Sequence, residues 1–297
     1  MTPSVQRKIV TVPLKSATGE VAVVAAGDFH IGATCFNEAA FHVFVRQMQE
    51  EAKKHPTYLL LMGDVFDAIN VTDKRFQLGE HRFTMDEAHE FIKTAMQPLV
   101  GIKNLHFVGS LTGNHELKYC KGDVDPINRL NESLDIEPLG IKAYVYFDFE
   151  HKGKRLGTLR TVAFHGSSNS RLPQGRIRIV NEFLRENQLT VDEFIRLNQV
   201  AFYGHTHDCR VERSETLVPS IRGDGVMNRV TQYACLTGSF YDIANFSTKS
   251  YAAERGLTPS PVGYVKVTAT VGKELVVEAV LDSGLNPNVR NPTWDAI

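Results

Sequence analysis

The segment YGHTH places two histidines, His205 and His207, one residue apart directly after the apolar run VAFY. Four earlier segments, GDFHIG, GDVFD, TGNHE and AFHG, also place carboxylate, imidazole or amide side chains after apolar runs. The polar side chains of these five clusters are Asp28, His30, Asp64, Asp67, Asn114, His115, Glu116, His165, His205 and His207. A donor set that mixes imidazole, carboxylate and amide suits first-row metals such as manganese, iron or zinc better than calcium. The clusters therefore predict a metal site.

The apolar runs before the clusters are typical of buried strands. They cover residues 20–27, 57–63, 104–111, 159–164 and 200–203. Ligands of α/β proteins collect at the carboxyl ends of the strands, so we expect the five clusters to meet there. Residues i and i+2 of an extended segment point the same way, so Asp28 and His30 can face one site, as can His205 and His207.

Each cluster alone has an ordinary structural explanation. GD and GN are common in turns, and a single buried histidine such as His165 is usually a satisfied core residue. The ordered series of five, each after a predicted strand, favours the functional interpretation.

The remaining patterns indicate how these strands are packed. Amphipathic helices are predicted at residues 37–54, with Asn37 as N-cap, and at 86–100, ending before Pro98. Further strands are predicted at 144–149, at 230–239 and as a pair near 262–281, with one more helix near 174–187. Strand–helix alternation with continuous apolar strands predicts an α/β layered fold whose second half completes the first sheet or pairs a second sheet with it. No Pro/Gly/Ser-rich linker divides the chain, so we expect one domain over residues 1–297.

The amino-acid composition argues against several classes of protein. A formal net charge of −1 argues against a protein that coats nucleic acid by bulk electrostatics. The net charge does not exclude a local basic groove. The four cysteines are spread out without a CxxC pair, which indicates reduced thiols of the cytoplasm. Cys209 follows His207 closely enough to be a ligand, but a small buried side chain is the favoured interpretation. The amino terminus lacks the apolar core of a signal peptide and no apolar run suits a membrane span, so we expect a cytoplasmic protein without membrane association.

The ordered series D-x-H, GD-x-x-D, GNHE, H and GH-x-H resembles the calcineurin-like metallophosphoesterase superfamily over residues 27–207. The resemblance implies a four-layer αββα sandwich with two mixed sheets and two divalent metals at the carboxyl ends of strands. It assigns Asp28, His30 and His207 to one metal, and Asn114, His165 and His205 to the second, with Asp64 bridging them. His115 would face the substrate, oriented by Asp67. Glu116 is a second candidate for that support, although a salt bridge or a helix start would explain it equally.

The implied chemistry is phosphoester hydrolysis. Two metals can clamp the attacking and leaving oxygens of an in-line displacement, and a hydroxide between them would be the nucleophile. His115 would act as the general acid towards the leaving oxygen. Manganese is the leading candidate for both sites, with iron, zinc or nickel as alternatives.

The residues beside the motifs indicate which class of phosphoester is the expected substrate. Phosphoprotein phosphatases of this superfamily continue GD-x-x-D with an arginine, whereas this chain has Ala68. The segments DFHIG, GDVFD and GNHE resemble the exonuclease-like branch more closely, together with phosphodiesterases. The expected function is a phosphodiesterase or nuclease acting on nucleic acids or nucleotides. The alternatives are a phosphomonoesterase acting on nucleotides or phosphoproteins and a non-catalytic scaffold, which would be expected to have lost ligands.

Candidate substrate contacts lie outside the five clusters. The segment after His165 carries Arg171, Arg176 and Arg178, which could clamp a phosphate backbone, although the sequence slightly favours a solvated helix face. The polar insertion 70–83 could be a lid, a substrate wall, a subunit contact of a homo-oligomer or an ordinary loop. Segment 120–126 could form another wall, and the aromatic residues within 237–256 could line the pocket, although aromatics there are more often core.

Overall fold

The computed structural model describes residues 6–69, 76, 81–119, 125–166, 173–185, 198–219, 226–242, 260–272 and 274–281. They form eleven strands: β1 (Gln6–Pro13), β2 (Glu20–Ala26), β3 (Thr57–Leu61), β4 (Leu105–Ser110), β5 (Lys142–His151), β6 (Lys154–Phe164), β7 (Val200–Tyr203), β8 (Cys209–Pro219), β9 (Met227–Thr237), β10 (Gly263–Thr270) and β11 (Glu274–Leu281). The helices are α1 (Glu38–Lys54), α2 (Met85–Met96), α3 (Asn114–Tyr119), α4 (Pro126–Leu134) and α5 (Pro173–Arg185).

The strands form two mixed sheets. The five-stranded sheet has the order β11-β10-β2-β3-β4, in which β2, β3 and β4 run parallel and β10 is antiparallel to its neighbours. The six-stranded sheet has the order β1-β5-β6-β7-β9-β8, in which β7 is parallel to both β6 and β9. Strands β2, β3, β4, β6 and β7 are the ones that carry the predicted clusters at their carboxyl ends.

Three apolar clusters separate four layers. In β2, Val21, Val23 and Ala25 face the six-stranded sheet, where they pack with residues such as Phe147 and Phe202. Val24 and Ala26 of the same strand face the opposite way, into a core shared with α1, α2 and α4. Helix α5 packs through Ile177 and Val180 on the other face of the six-stranded sheet. The predicted αββα sandwich is therefore confirmed.

Local signals fix the helices near the site. The Asn37 side chain accepts a hydrogen bond from the backbone N–H of Ala40 and caps α1 as predicted. Thr84 and Glu87 form a capping box at the start of α2, which ends at Met96 and passes into a 3₁₀ turn containing Pro98. Among the described residues, no helix is long and apolar enough to cross a membrane.

Four elements were not expected from the sequence. Strand β1 begins with three polar residues and alternates partly buried and exposed positions at one edge of its sheet, and β8 is rich in charged residues. Both are ordered by pairing, β1 with β5 and β8 with β9. Helices α3 and α4 are only 6 and 9 residues long, too short for a clear helical period.

Candidate metal centre

The loops after the cluster-bearing strands meet between the two sheets. The backbone N–H of Asp28 donates to the carbonyl of Gly63, which joins the loops after β2 and β3. The backbone N–H of His205 donates to both carboxylate oxygens of Asp28, at 2.9 and 3.1 Å, which joins the loop after β7 to the loop after β2. The predicted meeting of the clusters is present in the structure, where the strands that carry them belong to both sheets.

A first group of donors consists of Asp28, His30 and His207, whose ligand atoms all lie within 4.8 Å of one another. The Nε2 atoms of His30 and His207 are 2.9 Å apart, and His207 Nε2 is 3.4 Å from Asp28 Oδ1. Two imidazole nitrogens and a carboxylate oxygen converging on one point form a donor set suited to a divalent transition metal.

A second group consists of Asp64, His165 and His205, within the same 4.8 Å limit. His165 Nε2 lies 3.2 Å from Asp64 Oδ2 and 3.3 Å from the side-chain oxygen of Asn114. The opposite ring nitrogen, His165 Nδ1, donates to the carbonyl of Met62 at 2.7 Å. This is how metal-binding histidines are commonly oriented, because the hydrogen bond on one nitrogen aims the other at the metal.

Asp64 lies between the two groups. Its Oδ2 faces His165 and is also 3.9 Å from His30 Nε2, while its Oδ1 accepts the backbone N–H of His115 at 2.8 Å. Asp64 also shares a third, overlapping donor group with His30 and His115. A carboxylate in this position can serve both groups.

The electrostatics of the centre favour a bound cation. Burial alone would raise the pKa of Asp64, but the imidazoles of His165 and His115 hold that pKa well below its ordinary value. Burial of His165 disfavours its charged form, yet Asp64 raises the pKa of His165 to about 10. Burial lowers the pKa of His205 to about 4, so its ring is neutral and available as a ligand at neutral pH. A pocket that holds a positive charge on His165 this strongly also suits a metal cation.

The backbone is strained where the donors sit. Asp28, His30, Asp64, His205 and His207 all have φ between 46° and 64°. This left-handed region is uncommon for residues other than glycine and concentrates at functional sites. The loops accept this conformation at five of the predicted metal ligands.

Two glycines allow the loops to approach closely. A Cβ on Gly113 would lie 2.0 Å from Asp64 Oδ1, and one on Gly63 would lie 2.8 Å from His165 Nδ1. Gly63 also has a φ of +86°, which a side chain rarely tolerates. The position of the Asp64 carboxylate therefore requires glycine at position 113.

His115 is buried beside Asp67, as expected, but its contacts differ in detail. His115 Nδ1 makes a short hydrogen bond to the backbone oxygen of Asp67, and Asp67 Oδ1 is 3.5 Å from the same nitrogen. Burial would raise the pKa of Asp67, whereas His30, His115 and His81 lower it overall. The main chain and the carboxylate of Asp67 thus both face this ring.

Glu116 ties backbone segments together. Its Oε2 accepts the backbone N–H groups of Gly113 and Asp64, at 2.9 and 3.1 Å, and its Oε1 accepts that of Phe66 at 3.0 Å. Burial and the nearby Asp64 charge raise the pKa of Glu116 to about 7. Its observed contacts hold the loops after β3 and β4 at fixed positions.

The arginine cluster lies mostly beyond what the structure describes. Arg171 is outside the described residues, and Arg176 belongs to α5 but its side chain is not described. Arg178 is exposed and lies 3.9 Å from Glu182 along the same helix. A role in substrate binding stays a prediction, as it does for the undescribed parts of segments 70–83, 120–126 and 237–256.

Two residues near the centre were not among the predicted site residues. His81 Nδ1 lies 3.4 Å from Asp67 Oδ2. The half-buried ring of Tyr241 packs edge-on against His30 and at a tilt against His207, at centroid distances of 5.2 and 5.5 Å. No spacing rule identifies either one, because the sequence of both segments predicts only a loop or a pocket wall.

A comparison with protein families agrees with this geometry. A family model described as calcineurin-like phosphoesterase matches residues 21–209, a region that contains all five clusters. No curated protein matches the chain. Among solved structures, "GAP50 the anchor in the inner membrane complex of Plasmodium" is similar with a TM-score of 0.43 and 11% identity, covering 89% of this chain and 85% of that chain.

Proposed function

Since this chain belongs to the calcineurin-like phosphoesterase family, we propose that it is a dimetal phosphodiesterase or nuclease that hydrolyses phosphoesters of nucleic acids or nucleotides. The observation that carries the proposal is the pair of donor groups that converge on Asp64 beside His115. Family membership itself indicates a hydrolase acting on phosphate esters. The proposed preference for diesters rests on Ala68, the residue that follows Asp67.

Asp28, His30 and His207 would hold one divalent ion, and Asn114, His165 and His205 the other, with Asp64 shared. The imidazole, carboxylate and amide donors suit manganese, which we propose as the native metal. The two ions would supply Lewis-acid charge that neutralises the phosphate oxygens and favours the ionisation of water.

His115 is proposed to supply the proton that the leaving oxygen needs. Its Nδ1 faces a carbonyl oxygen, which can only accept, so Nδ1 carries a hydrogen. The Nε2 atom then holds a second proton only when the ring is positively charged. The Asp67 carboxylate, 3.5 Å from Nδ1, stabilises that charge. Protonated His115 can therefore donate through Nε2.

Ala68 supports a diester substrate. It is buried and follows Asp67 directly, at the position where the phosphoprotein phosphatases that this series resembles carry an arginine. A phosphomonoester carries more negative charge than a diester and gains more from such an arginine. The absence of an arginine at position 68 therefore supports the proposed preference for the less charged diester.

The test pairs bis(p-nitrophenyl) phosphate with p-nitrophenyl phosphate, assayed with manganese on the parent protein and on His115→Ala. We expect faster turnover of the diester. In His115→Ala, kcat should fall roughly 10²–10⁴-fold on a diester with an alkyl alcohol leaving group, which needs the proton, and less on the nitrophenyl diester. The metal content of the variant should equal that of the parent, because His115 is proposed to hold a proton and no metal.

A preference for the monoester would overturn the diester assignment in favour of a phosphomonoesterase. Loss of metal from His115→Ala would instead contradict the role of His115. Hydrolysis of neither substrate, nor of DNA, RNA or cyclic nucleotides, would contradict the proposed activity as a whole.

A further inference from the structure

The carboxylate of Asp67 lies among three imidazoles. Its Oδ1 is 3.4 Å from His30 Nδ1 and 3.5 Å from His115 Nδ1. Its Oδ2 is 3.4 Å from Nδ1 of His81. The side chain of Asp67 is 8% exposed, so water contributes little to holding it. The orientation of this carboxylate therefore depends on the side chains around it.

His81 is held in place independently of Asp67. Its ring stacks on Phe76 with a centroid distance of 5.4 Å and an interplanar angle of 19°. The backbone at His81 forms an antiparallel bridge with Ala33, and the next residue, Arg82, donates its N–H to the carbonyl of Gly32 at 2.7 Å. These contacts hold the His81 ring in place without a contribution from Asp67.

The ring of His81 presents one nitrogen to the centre. Its Nε2 is buried without a hydrogen-bond partner among the described residues, so Nδ1 is the atom through which the ring meets Asp67. The His81 nitrogen beside Oδ2 restricts rotation of the carboxylate, whose Oδ1 faces His30 and His115. Such supporting contacts around a metal site orient the groups that act on the substrate.

We propose that His81 is a positioning residue that fixes the Asp67 carboxylate and, through it, orients the proposed proton donor His115 and the proposed metal ligand His30. The proposal rests on the function proposed above for His115.

Two substitutions at position 81 separate the polar contact with Asp67 from the packing. His81→Phe keeps an aromatic ring against Phe76 but removes the donor. His81→Asn loses the ring but returns an N–H donor close to the position of Nδ1. His106→Phe is the matched control, because His106 stacks on Tyr58 in the same way at the amino end of β4, with a centroid distance of 5.0 Å.

The kinetic test compares phosphodiesters with nitrophenol and alkyl alcohol leaving groups at saturating manganese. An alkyl alcohol needs a proton more than nitrophenol does, so a disturbed His115 slows its release more. We expect His81→Phe to lower kcat roughly 10–100-fold on the alkyl diester and much less on the nitrophenyl diester, with KM unchanged. His81→Asn should recover most of the loss, and His106→Phe should match the parent. Equal losses on both substrates that His81→Asn does not recover would indicate a purely structural role and overturn the proposal.

A spectroscopic test does not depend on turnover. In the zinc-loaded protein with ¹⁵N-labelled histidines, the ring signals of His115 are assigned by their absence in His115→Ala. We expect these signals to shift in His81→Phe, to return towards parent values in His81→Asn and to stay in place in His106→Phe. Unchanged His115 signals in His81→Phe would overturn the proposal. If the parent hydrolyses no phosphodiester, the proposed function fails while this measurement still decides the role of His81.

Discussion

At the residue scale, Asp64 is the side chain on which both donor groups depend. Its Oδ2 faces His165 and its Oδ1 accepts the His115 backbone N–H, whereas the Asp28 carboxylate lies beside His207 and accepts the backbone N–H of His205. Replacing Asp64 should therefore disturb both metal positions, and replacing Asp28 mainly one of them.

The variants Asp64→Asn and Asp28→Asn each lose one anionic ligand. We predict that Asp64→Asn retains almost no metal, because Asp64 is shared by both metal positions. Asp28→Asn should keep about one of two ions per chain, because Asp28 belongs to one position. Asparagine preserves the shape and one accepting oxygen of each side chain. Metal analysis after gel filtration in manganese buffer measures the difference. Equal stoichiometry in the two variants would contradict the shared role of Asp64.

His165 gives the centre a specific pH dependence. Asp64 outweighs the effect of burial and raises the pKa of His165 to about 10, so its ring is protonated at neutral pH. A metal at Nε2 requires the unprotonated nitrogen, so binding must release a proton. His205 has a pKa of about 4 and has no proton to release at this pH. Below pH 10, each rise in pH lowers the fraction of His165 that carries the competing proton, so metal binding becomes stronger.

We predict that manganese affinity rises up to about tenfold per pH unit between roughly pH 6.5 and 8.5, with about one proton released per chain. Calorimetric titrations in buffers of different ionisation enthalpy count that proton. His165→Gln should bind metal more weakly and release about one proton fewer than the parent. An affinity that is flat over this range would show that His165 does not compete with a proton for the metal.

At the element scale, the strand-to-helix turns determine how close the donors come. Gly113 ends the loop after β4 and starts α3, and its hydrogen atoms face the Asp64 carboxylate. Gly157 lies within β6 and has nothing within 4 Å of an added Cβ. The two positions therefore form a matched pair for alanine substitution.

We predict that Gly113→Ala destabilises the protein by roughly 1–3 kcal/mol, because the methyl group must displace Asp64 or the loop. Metal stoichiometry should fall as well. Gly157→Ala should leave both quantities within the range of the parent. Urea unfolding and metal analysis measure these outcomes, and a Gly113→Ala protein with parental metal content would contradict the close approach.

The elements differ in how far the sequence could predict them. Strands β2, β3 and β7 were predictable because they are buried on both faces and read as continuous apolar runs. The charged strand β8 and the edge strand β1 form because partner strands supply their hydrogen bonds, which local sequence does not reveal. Short helices such as α3 start at the site itself, where the motif residues conceal any helical period.

The same distinction applies to the site residues. The series from Asp28 to His207 could be predicted because each cluster directly follows the carboxyl end of an apolar strand. His81 and Tyr241 reach the centre through packing between loops, shown by the bridges Ala33–His81 and Phe36–Tyr241. Such contacts depend on three-dimensional proximity and leave no spacing pattern in the chain.

At the scale of the whole molecule, the centre joins the two sheets. Asp28, His30, Asp64 and Asn114 follow strands of the five-stranded sheet, whereas His165, His205 and His207 follow strands of the six-stranded sheet. Each proposed ion therefore takes ligands from both sheets. Metal binding should stabilise their packing in addition to enabling catalysis.

We predict that manganese raises the melting temperature of the protein, because a ligand that binds only the folded state adds about 2.7 kcal/mol per site at 100 times its Kd. The size of this increase should shrink in Asp28→Asn and nearly vanish in Asp64→Asn. Thermal unfolding followed at several manganese concentrations measures the effect, with His106→Phe as the control that retains the full increase. Since the ligands come from both sheets, unfolding should remain one cooperative transition that moves as a whole. A melting temperature insensitive to manganese would mean that the donor groups do not hold metal in the folded protein.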